Sequence, residues 1–236
     1  MMQLKSINGI LAAVLLTGAL AAGVSADTAS DITSHVNVTA NGLKNPGVIT
    51  DGKLSTSEES QNFSITFTSD EPMGGLYVKY RRIPSDGTLN GSVPIATHGF
   101  LHEYIPLDGA SEATLNYTKA NIAEIEVYSV GDLPEEVQVW EVGPEGTDLM
   151  LFATHSDDDQ LFFAGLLPYY TSRGVTVRVA YFVNHFDTYN RTHELLDGLW
   201  HCGVRCYPII SPLPDGYSES IEGAEKYLKD QGFEHG

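Results

Sequence analysis

The hydrophobic pattern of this chain changes once, at Gly143-Pro-Glu-Gly146, and the change separates two kinds of fold. Before it, apolar and polar side chains alternate in Ser34-His-Val-Asn-Val-Thr39, Phe63-Ser-Ile-Thr-Phe-Thr68, Gly75-Leu-Tyr-Val-Lys-Tyr80, Glu124-Ile-Glu-Val-Tyr128 and Val137-Gln-Val-Trp-Glu141. A period of two puts every second side chain on one face, the pattern of a half-buried strand. Turn signals separate these runs at Asn41-Gly42, Asp51-Gly52, Ser85-Asp-Gly87 and Asp108-Gly109. Many short strands with such turns predict an antiparallel β-sandwich over 27–142.

After a linker at 143–147 the spacing predicts a strand at 148–154 and a helix at 159–173 with Gly174 as its cap. A strand at 175–183, a helix at 189–202 and an apolar run at 204–210 follow. Strands alternating with helices make parallel βαβ units with right-handed crossovers. The expectation for 148–236 is a partial α/β, Rossmann-like parallel sheet.

The first of these strand–helix turns carries chemistry. Asp148-Leu-Met-Leu-Phe-Ala-Thr-His155 runs straight into Ser156-Asp157-Asp158-Asp159. In an α/β sheet, ligands bind at the carboxyl ends of strands. An imidazole among hard carboxylates suits a divalent metal, zinc above all, and such an ion makes a water nucleophilic. Ser and Asp are also ordinary helix N-caps, so composition at the turn leaves both readings open.

The whole string resembles the start of the PIG-L/LmbE-like family of zinc-dependent N-acetylglucosamine deacetylases. The family hallmark there is Ala-His-Pro-Asp-Asp-Glu; here it stands as Thr154-His155-Ser156-Asp157-Asp158-Asp159, with Ser156 for Pro and Asp159 for Glu. The strand at 175–183, Arg191-Thr-His-Glu194 and Gly203 extend the resemblance to the end of the chain. It implies His155 and Asp158 as ligands of Zn2+ and Asp157 as the general base toward a metal-bound water. The hydroxide would attack an acetamide carbonyl and release acetate and a free amine. Arg191 would fix sugar hydroxyls or an anionic group, and Glu194 would orient Arg191. A third ligand is implied too, a histidine from a segment further downstream. His185, His193, His201 and His235 are at hand, and His185 falls at a strand's carboxyl end, but none stands at the family position. The α/β part is therefore expected to be the N-terminal portion of a larger domain. The alternative is a non-catalytic carbohydrate-binding or surface protein whose deacetylase-like half is degenerate. A phosphoesterase fits less well, because no basic phosphate clamp or P-loop is present.

In the first half, Val48-Ile-Thr-Asp51-Gly52, Ile122-Ala-Glu-Ile125-Glu-Val-Tyr128 and Gly131-Asp-Leu-Pro134 resemble the galactose-binding-like, discoidin-related jelly-roll modules. That resemblance implies loops that bind sugar, with aromatic rings stacking on sugar faces. Tyr77, Tyr80, Phe100, Tyr104 and Trp140 are the candidates, and core packing is the favoured competing role for each.

Lys5, the apolar run 10–22 and Val24-Ser25-Ala26 make a secretory signal peptide over 1–26, so the product is expected to be exported and soluble. The chain has 13 basic and 31 acidic residues, a formal charge of −18, and cleavage makes it one unit more acidic. That charge argues against nucleic acid or an anionic membrane surface as partner and suits a neutral or cationic substrate such as an N-acetylated sugar. Export permits a disulfide between Cys202 and Cys206, and two buried thiols are equally consistent. With His201 beside them they match no zinc signature. The sequons at Asn37, Asn62, Asn90, Asn116 and Asn190 are read as unmodified.

Overall fold

A computed structural model describes residues 27–143, 146–186, 188, 190–213, 226 and 229. The expected signal peptide, residues 144 and 145 of the linker, and His235 lie outside the described residues. Five strands form one sheet in the order β1-β2-β5-β3-β4: β1 (Asn37–Asn41), β2 (Glu58–Tyr80), β3 (Gly87–Leu89), β4 (Val93–Ile95) and β5 (His102–Ser129). Pairing is antiparallel: Phe63 faces Tyr117, and Phe67 faces Ala113. The runs expected at 63–68, 75–80 and 124–128 all lie in β2 or β5, but as parts of two long bent strands. Leu76 is paired on one side with Ile105 and on the other with Val127, so β5 passes β2 twice. The bend in β5 is at Asp108-Gly109, where both residues take positive φ, 52° and 83°. Asp and Gly are residues that tolerate that region.

The second sheet is parallel, in the order β6-β7-β8: β6 (Leu149–Ala153), β7 (Val177–Tyr181) and β8 (Ile209–Ile210). Leu151 pairs with Val179, and Tyr181 pairs with Ile210. Between β6 and β7 the helix expected at 159–173 is two short ones, α1 (Asp158–Phe163) and α2 (Leu166–Thr171). Pro168 explains the break: it has no N–H to give Ala164, and its ring crowds that carbonyl. Gly174, at φ +75, ends α2 as expected. The helix α3 (Arg191–His201) starts from Asn190 in the left-handed region, at φ 63. The run at 204–210 is extended into a ladder only at its last two residues.

The expected strand 137–141 is not one. Its backbone joins no ladder: Val137 N–H donates to the Pro134 carbonyl in a turn, and Glu141 makes an isolated bridge to Cys206. Its alternation has another cause: Val137, Gln138 and Trp140 are buried where the antiparallel sheet meets α3, and Val139 faces water.

One connected apolar core runs through both sheets, from Phe67, Leu76, Leu115 and Ile125 to Val179, Leu196, Leu199 and Trp200. At the seam, Trp140 meets Trp200 edge-on at 5.3 Å, and Phe100 stacks on Tyr207 at 4.2 Å. The seam is also hydrogen-bonded. Leu101 N–H donates to the Tyr207 hydroxyl at 3.0 Å, and Trp200 Nε1 donates to the Glu135 carbonyl at 2.6 Å. Tyr77, Tyr80 and Trp140 are thus core residues rather than exposed sugar platforms. Phe100 is spent on Tyr207, and Tyr104 packs over Gly75. Cys202 and Cys206 are free thiols, not a disulfide, and burial pushes both up.

Candidate active site at the carboxyl end of the parallel sheet

Strand β6 ends at Ala153, and α1 begins five residues later. The turn between them is closed by Asp158, whose Oδ2 accepts the backbone N–H of Thr154 at 3.1 Å and of His155 at 2.9 Å. An acid in the first helical turn reaches back to the strand, which pins the turn and places His155 beside it. His155 Nδ1 lies 3.6 Å from Asp158 Oδ2, with the two side chains 38% and 23% exposed. Asp157 occupies the N-cap of α1 but makes no side-chain capping bond. Its carboxylate turns instead to α3, where Arg191 Nη2 donates to Oδ2 at 2.9 Å. Arg191 Nε donates to Ser156 Oγ at 3.0 Å. So Ser156, which stands where the resembled family has proline, is a fixed partner of Arg191.

Four of the five expected site residues therefore form two pairs on one turn, His155 with Asp158 and Asp157 with Arg191. Glu194 does not join them. It is exposed, and the carboxylate that orients Arg191 is that of Asp157. His185, beyond the carboxyl end of β7, brings its ring to 5.9 Å from that of His155. His193 is buried and bonds a histidine of the other sheet, while His201 is exposed and bonds the Asp197 carbonyl.

Asp159 had no assigned role in the sequence beyond replacing a glutamate. It is fully buried beneath the turn, with Gln160 Nε2 donating to it at 2.7 Å. Burial pushes its carboxyl up, and burial with the nearby Asp159 pushes the Tyr181 phenol up. Nothing in the spacing marks it, because three acids in a row look equally solvated.

The donors suit zinc in kind. Two ligands of a tetrahedral zinc, each about 2.0–2.1 Å from the ion, stand about 3.4 Å apart. The His155–Asp158 separation of 3.6 Å matches that spacing. Among the described residues, however, no three His, Cys, Asp or Glu side chains converge on one point. The pair fits as a two-donor hold, short of the three protein ligands usual at a catalytic zinc.

No protein-family model matches the chain, and no curated protein matches it. Among solved structures it is similar to one described as a peptidoglycan O-acetylesterase in action, at 11% identity and a TM-score of 0.29. The alignment covers 84% of this chain and 63% of that one, less than two thirds of its length, and a likeness that loose fixes neither fold nor activity.

Proposed function

We propose that this chain is a secreted hydrolase that removes acetyl groups from N-acetylated sugars, with His155 and Asp158 as ligands of Zn2+. The observation that carries the reading is the pairing of His155 with Asp158 and of Asp157 with Arg191 on the turn at the carboxyl end of β6, partly exposed to solvent. Zinc, when bound, supplies polarisation and an acidified water. The chain supplies the rest. Asp157 is the general base: Arg191 holds its Oδ2, leaving Oδ1 to take a proton. Arg191 is the positioning residue for that carboxylate, and Ser156 fixes Arg191 in turn. Asp158 sets the turn that carries His155. The parallel sheet is then Rossmann-like. The antiparallel sheet is a jelly-roll-like sandwich domain that supports α3.

The test is calorimetric zinc titration of the full chain together with acetate release from N-acetylglucosamine oligomers. Zinc binding with acetate release is expected. Asp157→Asn should keep the first and lose the second, and His155→Ala should lose both. A chain that binds no zinc and releases no acetate sinks the reading and leaves the non-catalytic carbohydrate-binding alternative.

A further inference from the structure

Polar side chains from β2, β5, the 137–141 segment and α3 are joined at the seam, largely out of water. His102 and His193 are 1% and 3% exposed. Their rings stack at 5.0 Å, with His102 Nε2 2.7 Å from His193 Nδ1. His102 Nδ1 lies 2.8 Å from Gln138 Oε1 and 2.9 Å from the Tyr77 hydroxyl. Gln138 Oε1 also accepts Trp140 Nε1–H at 2.9 Å, and the Gln138 amide nitrogen donates to Asp197.

Two groups in this network admit no choice, and they fix the protons. An indole N–H only donates, so the Gln138 atom facing it is the carbonyl oxygen. A carbonyl oxygen only accepts, so His102 Nδ1 carries a hydrogen. A neutral His102 then has a bare Nε2, and His193 Nδ1–H must fill it. His193 is left with a bare Nε2 of its own. Both rings are neutral Nδ1–H tautomers. The first added proton lands on His193 Nε2. The second must go to His102 Nε2, where it sets two N–H donors against each other and breaks the bond.

The surroundings resist both protons. Burial, then His193 and Lys79, hold His102 well below the usual imidazole range. Burial, then Lys79 and Arg81, bring His193 down to about 4. The acids nearby are already engaged: Glu126 with Lys79 and Tyr128, and Asp197 with Gln138.

We propose that the His102–His193 bond is an acid-released latch between the antiparallel sheet and α3. Its protonation parts the two along the Trp140–Trp200 seam while each sheet stays formed. A group whose pKa is depressed on folding contributes stability that is whole above its unfolded value and lost as pH falls. For His193 that window runs from 6.5 down to about 4, and parting the seam also relieves the burial that holds His102 down, so the second proton is taken up as the bond breaks.

Trp140 and Trp200 are the only tryptophans of the chain, and both sit on the seam, so intrinsic fluorescence of the full chain reads the latch. Emission should shift to longer wavelength across that window with uptake of more than one proton, while far-ultraviolet circular dichroism stays constant. His193→Asn keeps an amide donor toward His102 and cannot be charged. Its transition should move to lower pH with at least one proton fewer. Nitrogen NMR of the imidazoles in the unmodified chain needs no variant, and should show both rings in the neutral Nδ1–H form at neutral pH. Four results overturn the proposal: emission flat across the window, circular dichroism lost together with it, a variant that titrates like the parent, or either ring charged or in the Nε2–H form at neutral pH.

Discussion

Arg191, in the first turn of α3, donates to Asp157, at the head of α1, across 2.9 Å. Two helices that leave different strands are thereby tied over the carboxyl end of β6. Both partners are partly exposed, 35% and 45%, so water screens the pair. Exposed pairs of this kind are worth about 0–1 kcal/mol, which makes orientation, not stability, the effect to look for.

Replacing Arg191 with alanine frees the Asp157 carboxylate to rotate. A misplacement of about 1 Å in a reacting group costs up to about 100-fold in rate. Acetate release by Arg191→Ala should therefore fall about 10- to 100-fold in kcat, while thermal unfolding stays within a few degrees of the parent. Steady-state kinetics and a melt on the same preparation check this. An unchanged kcat would show that Asp157 needs no such support.

The Tyr207 hydroxyl is the acceptor for Leu101 N–H, at 3.0 Å, in a residue only 1% exposed. Tyr207→Phe keeps the Phe100 stack and removes only that oxygen. An orphaned buried N–H costs about 1–3 kcal/mol, which urea unfolding will resolve. A variant as stable as the parent would mean that water reaches the amide.

Gly74 and Gly75 separate two kinds of crowding. A Cβ on Gly74 would lie 2.4 Å from the Ser129 carbonyl oxygen, which is backbone of β5 and cannot swing aside. On Gly75 it would lie 2.3 Å from the end of the Tyr104 ring, which can. Gly74→Ala should cost about 1–3 kcal/mol or more, and Gly75→Ala clearly less. Paired denaturation curves in the opposite order would refute the contrast.

Glu124 is 3% exposed, and its Oε2 accepts Gly52 N–H at 2.9 Å and Lys53 N–H at 3.1 Å. Burial, with Asp51 and Glu126 adding, pushes its carboxyl from 4.5 up to about 7. A pKa raised on folding gives stability that is whole below the unfolded value and lost as pH rises through the folded one. Glu124→Gln keeps an oxygen for both amides. It should match the parent near pH 4 and exceed it in melting temperature at pH 8. A parent that gains on the variant as pH rises would reverse the assignment.

Local patterning made the elements legible and left their partners hidden. The alternation in Phe63-Ser-Ile-Thr-Phe-Thr68 marks a strand with one buried face, yet the same alternation in 137–141 arises from side chains docked at a seam. A period of two records which side is buried, not whether a ladder forms. The helix break at Pro168 was readable from one residue. Within the site, His155 and Asp158 are neighbours in one turn, so their pairing was local and visible. The Arg191–Asp157 pair was not. A glutamate at i+3 is the default partner of a helical arginine, and only the approach of the head of α3 to the turn after β6 brings a better one. His102 and His193 stand 91 positions apart, and nothing in the sequence around either points to the other.

The double pairing of Leu76, with Ile105 on one side and Val127 on the other, also dictates an order of events during synthesis. Both partners of that strand are made after it, so it leaves the ribosome with two bare edges. Closing them takes loops of about 30 and about 50 residues, and the partner for the second is made after the partner for the first. The antiparallel sheet is therefore a structure that waits for its own last strand, and an exposed Leu76 ladder is what a chaperone would meet in the interval.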